Sequence, residues 1–420
     1  MAKSLFWKYL TLVNLCVVAG LGLLLRSKAI FDMPWIDYNR LVDTHGHFAF
    51  TGWVTLALSS LMVYELPGAL YTKKIYRLLL GSIFLCSWAA LFTNPFGITK
   101  NISEYISIIL ILVNYVFTFV FISDIRKTDS SKTVKLLASS AFISSALSSV
   151  GIWMLTYLFA SKSLNAMLYR DALFGYLHLQ YNGFFTLAVF AIIFNRIGNP
   201  AMQTCGKQTH RFALLLVSSV IPSMFITFLW HETSFIFRLL SVIGAAMLLL
   251  TFIWFILAAL QLAGEFNRVK KGLRYVIILS ISAFMVKILL QSLTVFDPVN
   301  IMVFGNRSLI MCFLHLVFLG FVTLFIISYY AQSGFLNFNI SFTRVAIAVF
   351  SVAVAVNEIL LLVQGFGTIL LTGSAAFNWY LWYAGILLVL GAALVTVAAI
   401  RSGRYAVEQP ADSSFKNGQQ

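Results

Sequence analysis

Twelve long apolar stretches divide almost the whole chain, and each is close to the length that an α-helix needs to cross a lipid bilayer. A crossing takes about 20 mostly apolar residues, and a helix satisfies all of its backbone polar groups inside lipid. The stretches therefore predict an all-α polytopic membrane protein. They lie at about residues 4–25, 44–64, 76–95, 103–123, 134–160, 171–195, 210–230, 235–262, 274–297, 306–330, 342–364 and 377–400. Because the intervening loops are short, we expect a single membrane domain over residues 1–400 and a disordered polar cytoplasmic tail over residues 401–420.

The basic residues predict which way the helices cross. The chain has a net charge of +15, although only 10% of its residues are charged and 60% are hydrophobic. This composition excludes a soluble nucleic-acid-binding protein, because the lysines and arginines flank apolar stretches and do not gather on one domain. If both termini lie on one side, that side holds 20 basic residues and the other holds eight. We therefore expect a multi-pass protein of the cytoplasmic (inner) membrane, with both termini in the cytoplasm.

One motif, His-x-x-x-x-Gly-aromatic-x-Thr-Leu, occurs three times and contains three of the six histidines. It reads HFAFTGWVTL from His47, HLQYNGFFTL from His178 and HLVFLGFVTL from His315. The copies are 131 and 137 residues apart, and they fall near the starts of predicted helices 2, 6 and 10. The spacing predicts a unit of four helices that is used three times.

The repeated histidine has a structural and a functional interpretation. A histidine inside a membrane helix can simply hydrogen-bond a neighbouring helix, and a nearby glycine lets two backbones approach. On an α-helix the glycine five positions later is rotated by about 140° from the histidine, so it would serve packing while the histidine faces inward. One such histidine favours the structural interpretation. Three in register favour ligands in a shared interior, hence a buried metal or haem, because ionisable residues within membranes are commonly functional.

This plan resembles the catalytic subunit of the haem-copper oxidase superfamily, which has twelve helices in three groups of four and ligand histidines on helices 2, 6, 7 and 10. The local match is nearest to the nitric oxide reductase branch. The segment HLQYNGF from His178 resembles helix 6 of that family, and HLVFLG from His315 resembles its helix 10. The resemblance covers the whole helical plan, and its sequence motifs are short.

The resemblance implies a haem b with two histidine ligands. His315 would supply one ligand and His47 the other, with His45 as the alternative on helix 2. Iron with six ligands has no open site, which suits electron transfer better than substrate activation. We therefore expect a haem protein that transfers electrons or senses a diatomic gas. Its implied partners are membrane lipid, a quinol or cytochrome electron donor and other membrane subunits.

The resemblance also implies one non-haem ion of copper, iron or zinc, held by His178, His231 and Glu232, since imidazole and carboxylate ligands suit these metals. Two departures from the family pattern argue against a centre that reduces oxygen or nitric oxide. Phe313 stands where the family has the histidine of its high-spin haem, and Asn182 stands where nitric oxide reductases have a glutamate. An active oxygen or nitric oxide reductase with an atypical metal site is the alternative function. A haem-free transporter or scaffold is a second alternative, although carriers commonly show a twofold repeat.

Two charged residues lie within apolar stretches, Lys287 in helix 9 and Glu358 in helix 11. A lone charge at the bilayer centre costs about 2.5–3.5 kcal/mol on insertion scales, so pairing is expected. Their similar depths predict an ion pair between Lys287 and Glu358, and a role in proton relay is the alternative.

Overall fold

A computed structural model of the chain describes residues 2–66, 70–94, 100–370 and 374–408. Twelve helices in these ranges are long and apolar enough to cross a membrane, and no strand occurs in them, so the chain is an all-α polytopic membrane protein as predicted. They are α1 (Ser4–Lys28), α2 (Tyr38–Glu65), α3 (Lys74–Thr93), α4 (Tyr105–Ile125), α5 (Lys132–Ala160), α6 (Ala166–Ile197), α7 (Gly206–Phe228), α8 (Phe235–Gln261), α9 (Lys271–Leu293), α10 (Arg307–Gln332), α11 (Ser341–Ile369) and α12 (Ala376–Gly403).

The two ends of the membrane domain lie in the same half of the bundle. The Tyr9 hydroxyl near the start of α1 donates to the Ala399 carbonyl near the end of α12, over 3.2 Å. We call this half the terminal half and the other half the distal half. Helices α2, α6 and α10 begin in the distal half, and α1 ends there.

The three helices that carry the repeat all begin with an Asn or Asp cap. The side chains of Asp37, Asn165 and Asn306 each accept a hydrogen bond from a backbone N–H in the first turn, at 2.8–2.9 Å. Such a cap satisfies a donor that has no partner within the helix. As a result α2 begins at Tyr38 and α6 at Ala166. Hydropathy predicts later starts at residues 44 and 171, because charged residues interrupt the apolar stretch near the start of each helix.

The last helix is longer than the sequence predicts. It runs without a break over Ala376–Glu408, whereas we expect the membrane domain to end at residue 400. The first part of the predicted tail is therefore helical. The rest of that tail, residues 409–420, lies outside the described residues.

Each copy of the repeat folds as a π-helical segment that starts directly after its histidine. The segments are Phe48–Thr55, Leu179–Phe185 and Leu316–Thr323. A π segment replaces i→i+4 bonds by i→i+5 bonds, and such segments often mark functional sites. In each segment one backbone carbonyl accepts a hydrogen bond from a side chain, with donor–acceptor distances of 2.5–2.7 Å. Asn14 donates to Gly52 O, Thr186 to Tyr181 O and Ser280 to Phe321 O.

The three repeat helices meet at a triangle of phenylalanines, Phe50 from α2, Phe185 from α6 and Phe318 from α10. The ring centroids of Phe50 and Phe318 are 4.4 Å apart, and Phe185 lies 5.7 Å from Phe50 and 5.4 Å from Phe318. We call these rings the phenylalanine triad. Convergence of the three repeat helices at one centre agrees with the predicted threefold plan.

Candidate functional site

The three repeat helices are tightly packed in the terminal half and loosely packed in the distal half. Along α10, residues 320–331 are all buried, whereas residues 311–316 are all only half-buried. Six consecutive residues cover every face of a helix, because a turn takes 3.6 residues. Yet α10 is surrounded by α2, α6, α9 and α11. The distal half of α10 therefore borders space that the protein does not fill.

His315 faces this loosely packed region with one ring nitrogen free. Its Nδ1 lies 2.8 Å from the Met311 carbonyl one turn earlier, and this contact places the proton on Nδ1. The neutral ring then keeps its lone pair on Nε2. Histidine ligands of metals usually donate their other ring N–H to a carbonyl or carboxylate in this way. His315 is thus prepared to bind a metal through Nε2.

His45 lies on the first turns of α2 and approaches α1 and α10. Its Cε1 would lie only 3.3 Å from a Cβ atom on Gly22, so α1 makes room for the ring with a glycine. His45 interacts electrostatically with His315 and with Arg26. Its Nδ1 is buried and has no hydrogen-bond partner. We call the space bordered by His45, Arg26 and His315 the distal pocket.

Arg26 is held in place by α11 and α12. One guanidinium nitrogen donates to the Leu381 carbonyl and another to Asn357 Oδ1, both over 2.5 Å. Asn357 in turn donates to Glu358 Oε1 over 2.9 Å, while Glu358 Oε2 is buried without a partner. The Asn357 amide thus hydrogen-bonds both Arg26 and Glu358 next to the distal pocket.

Lys287 and Glu358 have different partners. Lys287 donates to Asn182 of α6, and Glu358 accepts from Asn357. The ion pairs found in residues 2–66, 70–94, 100–370 and 374–408 do not join the two, although the sequence predicts such a pair. Their depths are compatible, but their helices turn the side chains towards different neighbours.

His47, two residues after His45, points elsewhere. Its Nδ1 lies 3.4 Å from Thr51 Oγ1, and that hydroxyl accepts a 3.0 Å hydrogen bond from Ser87 of α3. Residues two apart on an α-helix point in nearly opposite directions. His47 is therefore associated with α3, and His45 with α1 and α10.

His178 is completely buried, and both of its ring nitrogens are occupied. Nε2 lies 2.9 Å from the Val220 carbonyl and 3.3 Å from Ser223 Oγ, both on α7. Nδ1 lies 3.0 Å from Asn182 Nδ2 and 3.4 Å from Gln291 Nε2 of α9. The arrangement joins α6, α7 and α9, and it leaves no lone pair of the neutral ring free.

His231 and Glu232 lie in the loop between α7 and α8. His231 Nε2 is 3.0 Å from Asp171 Oδ2, and its Nδ1 is 2.9 Å from the Glu232 carbonyl. Trp230 donates to the other Asp171 oxygen over 2.8 Å, and the Glu232 side chain is exposed. In the described part of the chain no three His, Cys, Asp or Glu side chains form a group that could hold a metal. His178, His231 and Glu232 are not brought together as the resemblance implies.

Several residues at these sites were not singled out from the sequence. Arg26, Gln291 and Asp171 become significant only through their partners in the fold. A single asparagine or arginine near a helix end gives no local signal of a tertiary contact. Only the spacing of Asn182 four residues after His178 indicates a same-face pair on a helix.

Comparison with protein-family models and with curated proteins finds no match to this chain.

Proposed function

We propose that this chain is an integral membrane haem protein in which a haem b lies in the distal pocket, ligated by His315 and a histidine of α2. Bound there, a haem with two histidine ligands would carry one electron at a time and would have no open iron site. The function that fits is electron transfer or gas sensing. A working oxygen or nitric oxide reductase would need an iron with a free coordination position.

The change in packing along α10 carries this proposal. Protein interiors are packed as densely as organic crystals, and large voids in them are rare. A central helix that is sealed over residues 320–331 and accessible on every face over residues 311–316 is expected where a non-protein group fills the space. The half-buried side chains of this region lie on α1, α2 and α10, so a haem bound there would contact all three helices.

The chemistry of the side chains also fits a haem. His315 keeps Nε2 free because Nδ1 is engaged by Met311. His45 has a buried nitrogen without a partner and lies within electrostatic reach of His315. His47 lies on the side of α3, where its Nδ1 contacts Thr51. Because His45 approaches α10 and His47 approaches α3, we propose His45 as the second ligand in place of His47, which the sequence favours.

We further propose the cytoplasmic membrane as the location, with the terminal half towards the cytoplasm, because 20 of the basic residues then lie on the inner side and eight on the outer side. The distal pocket would then lie in the outer half of the bilayer. The electron donor would be a quinol or a separate cytochrome.

The test is a reduced-minus-oxidised absorption spectrum of the purified protein, together with variants His45→Ala, His47→Ala and His315→Ala. We expect a haem b spectrum in the wild type, its loss in His45→Ala and His315→Ala, and near-normal haem content in His47→Ala. His47→Ala is the matched control, because it removes the same ring two residues away. Normal haem content in both His45→Ala and His315→Ala would refute the proposal, as would a colourless wild-type protein without iron.

Carbon monoxide separates electron transfer from gas reduction. A haem with two histidine ligands should bind little carbon monoxide when reduced, so the spectrum should hardly change. A stoichiometric carbon monoxide complex, or consumption of oxygen or nitric oxide by the purified protein, would favour the reductase.

A further inference from the structure

The surroundings of His178 do not suit a metal ligand. The oxidase resemblance assigns to this residue a non-haem metal in the interior of the bundle. In the structure His178 is fully buried, with the Val220 carbonyl at Nε2 and the Asn182 amide at Nδ1. A carbonyl can only accept a hydrogen bond, so Nε2 carries the proton. The remaining lone pair on Nδ1 is taken by Asn182.

Lys287 determines how Asn182 is oriented. The Lys287 nitrogen donates to Asn182 Oδ1. The amide therefore turns its oxygen towards Lys287 and its NH2 group towards His178. The NH2 group donates to Nδ1 over 3.0 Å. The lysine on α9 therefore supports the same tautomer of His178 that the Val220 carbonyl favours.

The opposite tautomer has partners too, but two contacts oppose it. If Asn182 were flipped, its oxygen would face Nδ1 and would accept a proton from it. Nε2 could then accept from the Ser223 hydroxyl, which lies 3.3 Å away, but its lone pair would face the Val220 carbonyl at 2.9 Å. The contact of Lys287 with Asn182 opposes the same flip, because the flip would turn the Asn182 NH2 group towards the Lys287 nitrogen.

The Lys287 side chain is deeply buried. It is 1% exposed, and among the residues that the structure describes no carboxylate forms an ion pair with it. The rings of Tyr181 and Phe284 lie 5.8 Å from its nitrogen and would stabilise its protonated form by cation–π interaction. In that form Lys287 would repel a divalent ion bound nearby.

Aromatic rings line part of the same region. The Tyr181 ring lies 5.8 Å from the His178 ring and 5.7 Å from Phe313, which occupies the position of the missing haem ligand. The interior next to His178 thus contains aromatic rings and the hydrogen-bonded side chains of Asn182, Ser223, Gln291 and Lys287.

We propose that Lys287, acting through Asn182, stabilises the Nε2–H tautomer of His178 and takes the place that the oxidase resemblance assigns to a second metal ion. Lys287 is a positioning residue, and His178 is a hydrogen-bonding link between α6, α7 and α9. The inference deepens the proposed function, since a haem protein without a second metal is suited to electron transfer. Its test does not require bound haem.

The first measurement is nitrogen NMR of the full-length protein labelled with ¹⁵N at histidine. The chain has six histidines, so the signal of His178 can be assigned as the one lost in His178→Asn. We expect Nε2 protonated and Nδ1 unprotonated in the wild type. In Lys287→Met we expect the opposite tautomer to become populated, and in Lys287→Arg the wild-type pattern to persist. Lys8→Met, which removes a buried lysine in the terminal half, should leave the His178 signal unchanged.

The second measurement is equilibrium dialysis of the wild type and His178→Ala against zinc ions alone, followed by metal analysis. We expect both proteins to retain the same amount of zinc. One zinc per wild-type chain that is lost in His178→Ala would overturn the proposal, and so would an Nδ1–H tautomer in the wild type. An unchanged tautomer in Lys287→Met would also overturn it. If Lys287→Met does not fold, the two wild-type measurements still decide. Absence of haem iron would refute the haem proposal alone.

Discussion

Replacing Gly183 by alanine tests whether the repeat glycine permits close helix contact. A Cβ atom on Gly183 would lie 2.3 Å from Ser144 Cβ and 2.7 Å from Ser144 Oγ on α5. Carbon atoms in good contact are about 3.5–4.0 Å apart, so one helix must move by more than ~1 Å. Overpacking of this kind typically costs about 1–3 kcal/mol, and both positions are buried here. We expect a loss near the upper end of that range.

The other repeat glycines provide matched controls. A Cβ on Gly320 would meet Ala283 Cβ at 3.2 Å, which requires a shift of only a few tenths of an ångström. A Cβ on Gly52 would meet the ring of Phe48 at 3.0 Å, and that ring belongs to the same helix. We expect both substitutions to cost less than Gly183→Ala, because neither requires neighbouring helices to move apart by more than a few tenths of an ångström.

The assay is the apparent melting temperature of each variant in one detergent at a fixed scan rate, followed by tryptophan fluorescence. A loss of about 1–3 kcal/mol corresponds to a decrease of roughly 2–12 °C in proteins of about 150–250 residues, and to a smaller decrease in larger ones. The reasoning predicts that Gly183→Ala melts lowest of the three. It is refuted if Gly183→Ala melts with the wild type, or if Gly320→Ala is the least stable.

Three further substitutions test other contacts. Lys8→Met breaks the 2.7 Å ion pair with Glu65 and should destabilise the protein by about 1–3 kcal/mol, and adding Glu65→Gln should recover part of the loss in thermal unfolding. Trp53→Phe removes the 2.9 Å hydrogen bond to Thr323 that joins α2 to α10, so the unfolding free energy should fall by about 1–3 kcal/mol, and an unchanged value would argue against that bond. With the proposed haem bound in the distal pocket, Arg26→Met should lower the midpoint potential of that haem in redox titration, since loss of a nearby positive charge disfavours the reduced state; an unchanged potential would place the haem elsewhere.

The helical plan could be predicted from the sequence because burial in lipid imposes one simple rule on every segment. A helix that crosses a bilayer must be apolar over about 20 residues, and hydropathy detects that rule directly. The starts of α2 and α6 were predicted too late, because charged residues interrupt the apolar stretch in their first turns, while caps at Asp37 and Asn165 start the helices earlier. Such turns lie outside an apolar window but inside the helix.

The local site was harder to predict because rotation about a helix axis decides which side chains meet. The choice between His45 and His47 depends on that rotation, and nothing in HGHFAF distinguishes their directions. The π segment after His47 also changes the number of residues per turn, so the rotation of about 140° between histidine and glycine on an α-helix does not apply. The rotation of α9 about its axis could not be predicted either, and it places Lys287 against Asn182 and not in an ion pair with Glu358.

The sealed terminal half opposes the passage of ions through the protein. Between the phenylalanine triad and the terminal face, the repeat helices are closed by fully buried side chains, among them residues 56–63 of α2 and 320–331 of α10. An ion entering the distal pocket would have to shed its water to continue through this layer, at a cost of several kcal/mol. Charge can therefore enter and leave the distal pocket from one side of the bilayer without crossing the sealed layer to the other side.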